Sequence, residues 1–194
     1  MESEHESVSN VAPTPPRSRK KKVVTVLVAM ALVVVIGLLV VTTSKGPAKT
    51  YLPAVTLTTA AGETLHSPWG TPDKPGTATV IVFFASWCEP CKKELPALST
   101  YLRTHGTRRV VVLGLDGRED QPSDGVAFAE KAGFQNTIVV DPNYDLVSGL
   151  FNLPGFPDTV FIGRDGELID RHIGPLSAKE FATRYQDLIE RSKQ

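Results

Sequence analysis

Phe83-Phe84-Ala85-Ser86-Trp87-Cys88-Glu89-Pro90-Cys91-Lys92-Lys93-Glu94-Leu95-Pro96 decides how the rest of the chain is read. It holds the only two cysteines in 194 residues, spaced Cys-x-x-Cys. An apolar, β-rich run, Thr79 to Ala85, precedes them, and a helix-like run from Cys91 to about Thr104 follows. A helix start carries roughly half a positive charge and several unpaired N–H groups. Both favour a thiolate, the reactive form of cysteine. Cys88 is expected to be exposed at the helix tip. Cys91, three residues on, is expected on the same face, within reach for an intramolecular disulfide. Pro90 falls in the first turn, where a missing N–H does no harm. Pro96 lies mid-helix, where a kink is expected.

The bland readings of the two cysteines fit less well. A structural zinc site needs four ligands, and His66, His105 and His172 lie at no recognised spacing from the pair. No metal and no cofactor are therefore expected. A purely structural disulfide across two residues closes almost no loop and stabilises little.

Outward from the motif, the chain divides by composition. Formal net charge is zero, which implies no nucleic-acid partner. Residues 1–22 are polar and Pro-rich with a basic cluster, Arg17 to Lys22, and read as a disordered tail. Val23 to Val41 is a 19-residue run without charge. As a helix it would reach roughly 28 Å, close to the ~30 Å hydrocarbon core of a bilayer. A retained anchor over 23–43 is expected, because a cleaved signal segment has a shorter apolar region and a small-residue cleavage site. Bases on its N-terminal side put the tail in the cytoplasm and the following domain outside. Residues 44–51 read as a linker and 52–194 as the folded domain.

Within that domain, Ala54–Thr59 and Thr64–His66 read as a small hairpin. Residues 67–76 form a Pro/Gly-rich loop in which Trp69 is a packing residue. Val110–Leu115 is a second buried strand. Residues 126–132 form a short helix stopped by Gly133. Thr137–Val140 is a strand, and residues 144–151 form another short helix. Thr159–Ile162 and Leu168–Ile173 are joined by a turn. Ser177-Ala178-Lys179-Glu180 opens the last helix with a capping box.

Trp87-Cys88-x-x-Cys91 after a strand resembles the thioredoxin superfamily. The fuller string to Pro96 is similar to its membrane-anchored TlpA/ResA-type branch, and the resemblance covers about Tyr51 to the C-terminus. It implies a thioredoxin-like α/β three-layer sandwich with an N-terminal β-hairpin and a central αβ insertion. It implies a cis proline before a strand, for which Pro157, after Phe156, is the candidate, with Pro154 too far from the strand. The backbone of Phe156 would then pair with a substrate chain. Members of the branch often carry Thr after that proline, where this chain has Asp158.

The implied activity is extracytoplasmic thiol–disulfide exchange at a cell membrane, as a reductase of protein disulfides. Cys88 would attack and Cys91 resolve. Glu94 would shuttle protons to the resolving thiol, as the resemblance suggests. Trp87, Glu89, Pro90, Phe156 and Pro157 would tune the couple or bind substrate. Glu89 adds a negative charge that opposes the helix dipole and makes the couple less oxidising. The implied partners are a disulfide-containing protein, among which apocytochrome c before haem attachment is suggested, and a membrane dithiol as electron donor. Rival readings are a Sco-like copper carrier, whose cysteines are normally one residue further apart, and a disulfide oxidase or isomerase. The peroxiredoxin pattern before the first cysteine is not matched by Ala85-Ser86-Trp87.

Overall fold

A computed structural model of the chain describes residues 19–43, 48–117 and 121–193. Two units separate in it, residues 1–48 and 49–194. The described part of the first is one helix, α1 (Arg19–Thr43). It takes in Arg19 to Lys22, which the composition assigns to the tail; the rest of that tail, like residues 44–47 of the linker, lies outside the described residues. The large apolar side chains from Val24 to Ile36 are each more than half exposed. Among the described residues no helix is long and apolar enough to cross a membrane. The anchor expected over 23–43 thus coincides with a helix in the structure.

The second unit is built on one mixed seven-stranded sheet. Its strands are β1 (Thr56–Thr59), β2 (Thr64–His66), β3 (Ala78–Phe84), β4 (Val110–Asp116), β5 (Thr137–Val140), β6 (Asp158–Ile162) and β7 (Leu168–Ile173). Their spatial order is β2-β1-β5-β4-β3-β6-β7. Strands β3, β4 and β5 run parallel, while β6 pairs antiparallel with β3 and β1 antiparallel with β5. The continuous apolar run of β3 has a direct cause. Every residue of it is buried, because both faces of the strand are covered. Ala78, Val80, Val82 and Phe84 enter one core, and Ile81 and Phe83 the other.

Three helices cover the first face: α2 (Glu89–His105), α3 (Pro122–Lys131) and α4 (Ala178–Arg191). Among the described residues the opposite face carries no regular α-helix. It is closed by Leu52, Leu57, Trp69, Val147 and Phe151, so the expected third layer is an irregular one. Trp69 is almost fully buried there and its indole N–H donates to the Pro53 carbonyl at 3.0 Å, which accounts for it as a packing residue.

Several boundaries differ from the sequence reading. β1 begins at Thr56 rather than Ala54. α3 begins at Pro122, four residues before Val126, because proline is accommodated in a first helical turn. The second short helix is a π-helical turn, Asp145–Leu150. The Asp141 carboxylate caps it, accepting from the Leu146 and Val147 amides at 3.0 and 2.8 Å. α2 continues through Pro96. The capping box at α4 is formed in both directions, between Ser177 and Glu180.

Candidate active site

β3 ends at Phe84 and α2 begins at Glu89, so the four residues between turn the chain from the sheet's centre onto its helical face. Cys88 is the N-cap of α2. Its sulfur lies 3.2 Å from the Cys91 amide nitrogen, which donates to it. The helix thus delivers an N–H, together with its positive end, to the sulfur that must carry charge as a thiolate. Cys88 and Cys91 are joined in a disulfide, S–S 2.00 Å, with Cα atoms 5.2 Å apart.

One expectation fails here. Cys88 is not exposed: only 3% of its surface is accessible, against 1% for Cys91. The cause is packing. Both sulfurs belong to the apolar core under α2, and Phe156 lies against that cluster. Exposure passes instead to Trp87, 55% accessible, whose indole meets the Phe156 ring edge-on at 5.7 Å. Phe156 is linked to Pro157 by a cis peptide bond. The tryptophan before the dithiol and the residue before the cis proline are thereby brought together from 69 positions apart.

Glu89 and Glu94 share a helix but not an environment. Glu89 is exposed and ion-paired with Lys92 one turn on. The Lys92 hydrogen bond and charge hold its carboxyl below the usual range. The negative charge expected to oppose the helix dipole is therefore partly neutralised. Pro90 follows in the first turn and, like Glu89, is exposed.

Glu94 is buried to 3% exposure, and its Oε1 accepts from the Leu176 amide at 3.2 Å. Burial pushes its carboxyl up to about 7, helped by the charge of Asp158 and opposed by the Leu176 hydrogen bond. A carboxyl poised there, one turn behind the resolving cysteine, can hold or release a proton at neutral pH.

Two residues that sequence reasoning did not single out as a pair lie directly behind the cis proline. Asp158 is wholly buried immediately after Pro157, and Arg171 forms an ion pair with it, Nη2 to Oδ2 2.6 Å. The signal was an acidic residue opening a core strand; its partner in β7 becomes visible only once β6 and β7 are paired. Among the described residues no group of three or more His, Cys, Asp or Glu side chains is placed to hold a metal ion.

The geometry agrees with what the chain resembles. The profile of the AhpC/TSA family matches residues 50–171. Thioredoxin-like protein YneN of Bacillus subtilis is 26% identical over 109 residues, 56% of this chain and 63% of that protein. The thiol:disulfide interchange protein DsbE of Allochromatium vinosum is 27% identical over 118 residues, 60% of this chain and 62% of that protein. The chain thus spans under two thirds of both. Sporulation thiol-disulfide oxidoreductase A of Bacillus subtilis is 29% identical over 132 residues, 66% of this chain and 76% of that protein. In three dimensions, StoA from Bacillus subtilis superposes with a TM-score of 0.59 at 24% identity, covering 70% of this chain and 99% of that one, a likeness of fold. The chain belongs to the AhpC/TSA family, as a TlpA/ResA-like member of the thioredoxin superfamily.

Proposed function

We propose that this chain is an extracytoplasmic thiol–disulfide oxidoreductase that reduces disulfides in protein clients. The observation that carries the reading is a single one: a Cys88–Cys91 disulfide set on the N-cap of α2, with the buried Glu94 one turn behind it. In the reduced protein, the Cys88 thiolate attacks one sulfur of a client disulfide. A Cys88–client bond forms, and the departing client sulfur takes up a proton. Cys91 then passes its proton to the Glu94 carboxylate and attacks the Cys88 sulfur. The Cys88–Cys91 bond closes as the second client sulfur leaves, and that sulfur takes up the proton Glu94 received. Two electrons have moved to the client. In this reading the Cys88–Cys91 disulfide is the bond on which the cycle ends, and a membrane dithiol returns the two electrons.

The anchor belongs to the same reading. The uncharged run within α1 and the basic cluster before it support a single span with the N-terminus in the cytoplasm. A dithiol on the outer side meets disulfides, whereas cytosolic thiols are kept reduced. The suggested client is apocytochrome c, whose paired thiols must be free before haem is attached. Cys91→Ala expressed in cells tests both levels. Mixed disulfides through Cys88 are the expected product, with a c-type apocytochrome among them. Adducts that lack any c-type cytochrome would leave the chemistry and remove the client; no adducts at all would remove the chemistry.

A further inference from the structure

Asp158 and Arg171 sit on the face of the sheet opposite α2. Asp158 alternates with Val160 and Ile162, which enter the second core, while Phe161 enters the first. Arg171 lies across from Val160 in the β6–β7 pairing. All three of its guanidinium nitrogens donate. Nε donates to both Asp158 oxygens, at 3.2 and 2.9 Å, and Nη2 donates to Oδ2 at 2.6 Å. Nη1 donates to the Phe151 carbonyl at 2.9 Å, at the end of the π-helical turn. One side chain thus ties the strand that begins after the cis proline to the central insertion.

An acid that accepts this fork on both oxygens offers lone pairs, not a proton. We propose that Arg171 is a positioning residue that keeps Asp158 ionised, so that the exchangeable proton of the redox site resides on Glu94 alone. The role of that proton in resolving the mixed disulfide rests on the function proposed above. The charge arrangement does not, and can be tested without a client.

The surrounding groups are few. From β6 comes Asp158, which interacts electrostatically with Glu94. Burial pushes the Asp158 carboxyl above its usual range, and from β7 Arg171 and His172 oppose that push. From α4, Glu180 shares the field of His172 but is held by Ser177. The segment after β7 supplies the Leu176 amide. On α2 the other charges near the dithiol are the exposed Glu89 and Lys92, paired with each other, and Lys93. Without Arg171, two buried carboxyls would compete for protons with only His172 beside them, and such pairs do not both ionise readily.

The experiment is infrared titration of the oxidised full chain, counting buried carboxylic acid C=O bands between pH 5 and 9. The wild type is expected to show a band titrating near neutrality that Glu94→Gln removes and none that Asp158→Asn removes, whatever the buried Asp116 and Asp141 contribute. Arg171→Met should add one that Asp158→Asn in the same background removes. Arg171→Lys, which keeps the charge, should add none. Arg171→Gln, which keeps a donor to Asp158, gives the same readout as Arg171→Met should that variant fold poorly. A wild-type band that Asp158→Asn removes, or neutral Arg171 variants that gain no such band, would overturn the assignment. Loss of disulfide exchange with this band pattern intact would instead count against the proposed function.

Discussion

Glu94 hangs from a single backbone donor, the Leu176 amide, in a pocket that admits almost no water. Leu176 follows β7 and Glu94 lies in the second turn of α2, so the carboxyl bridges 82 residues of chain. That placement separates it from an ordinary helix acid. It is desolvated enough to keep its proton near neutrality and supported enough to lose it.

The sign of its effect on stability follows from its shift. The folded-state value, about 7, lies above the ordinary 4.5. Below the ordinary value both folded and unfolded chains are protonated and nothing is lost. As pH rises from there through about 7, only the unfolded chain gives up its proton, so stability falls. Glu94→Gln should therefore stabilise the protein at pH 8 by up to about 3 kcal/mol and change little at pH 4. Urea denaturation of both proteins at the two pH values checks this. Equal effects at both would contradict it. The same variant should slow the closing of the mixed disulfide and flatten its pH dependence.

Lys92 governs what Glu89 can do to the couple. The two are paired, so Glu89→Gln leaves the Lys92 charge uncompensated and should shift the reduction potential to more positive values, by about 30 mV or less. Lys92→Met leaves the Glu89 charge beside Cys88 uncompensated and should shift the potential to more negative values. Equilibration of each variant with dithiothreitol measures both. A shift of Lys92→Met toward more positive values would show that the lysine acts on the dithiol through another route.

Gly114 is needed for space. A Cβ there would come within 2.8 Å of ring atoms of both Phe84 and Phe134. Gly114→Ala overpacks the core beneath the dithiol and should cost about 1–3 kcal/mol in chemical denaturation. A neutral result would mean that the two rings move aside freely.

Ser177 offers a local control far from the chemistry. It caps α4 by accepting from the Glu180 amide. Ser177→Ala should cost about 1 kcal/mol while leaving the reduction potential unchanged. A change in potential would reveal coupling between this cap and the Leu176 segment next to it.

Much of this was legible beforehand, for local reasons. β3 announces itself by an apolar run, the capping box by residue spacing, the dithiol by its place between a strand and a helix. Pro157 was identified through resemblance, and its cis bond is present. What was not legible depends on distant pairings. The burial of Cys88 arises from packing under α2, and the contact of Trp87 with Phe156 joins segments that local patterns cannot relate. The Asp158–Arg171 pair requires the register of β6 on β7. The π-helical turn depends on the Asp141 carboxylate reaching amides five and six residues ahead, where its Asp-Pro-Asn context reads only as a turn.

The reduction potential of the Cys88–Cys91 couple tests the central claim most directly. Trp87 adjoins the disulfide while Trp69, the only other tryptophan, is buried in the second core. Indole fluorescence can therefore follow equilibration with glutathione or dithiothreitol. The account predicts a single two-electron transition at a potential well below about −120 mV, the strongly oxidising end of the scale. A value at that end would make the protein an oxidase, and a disulfide that never equilibrates with thiols would contradict the account altogether.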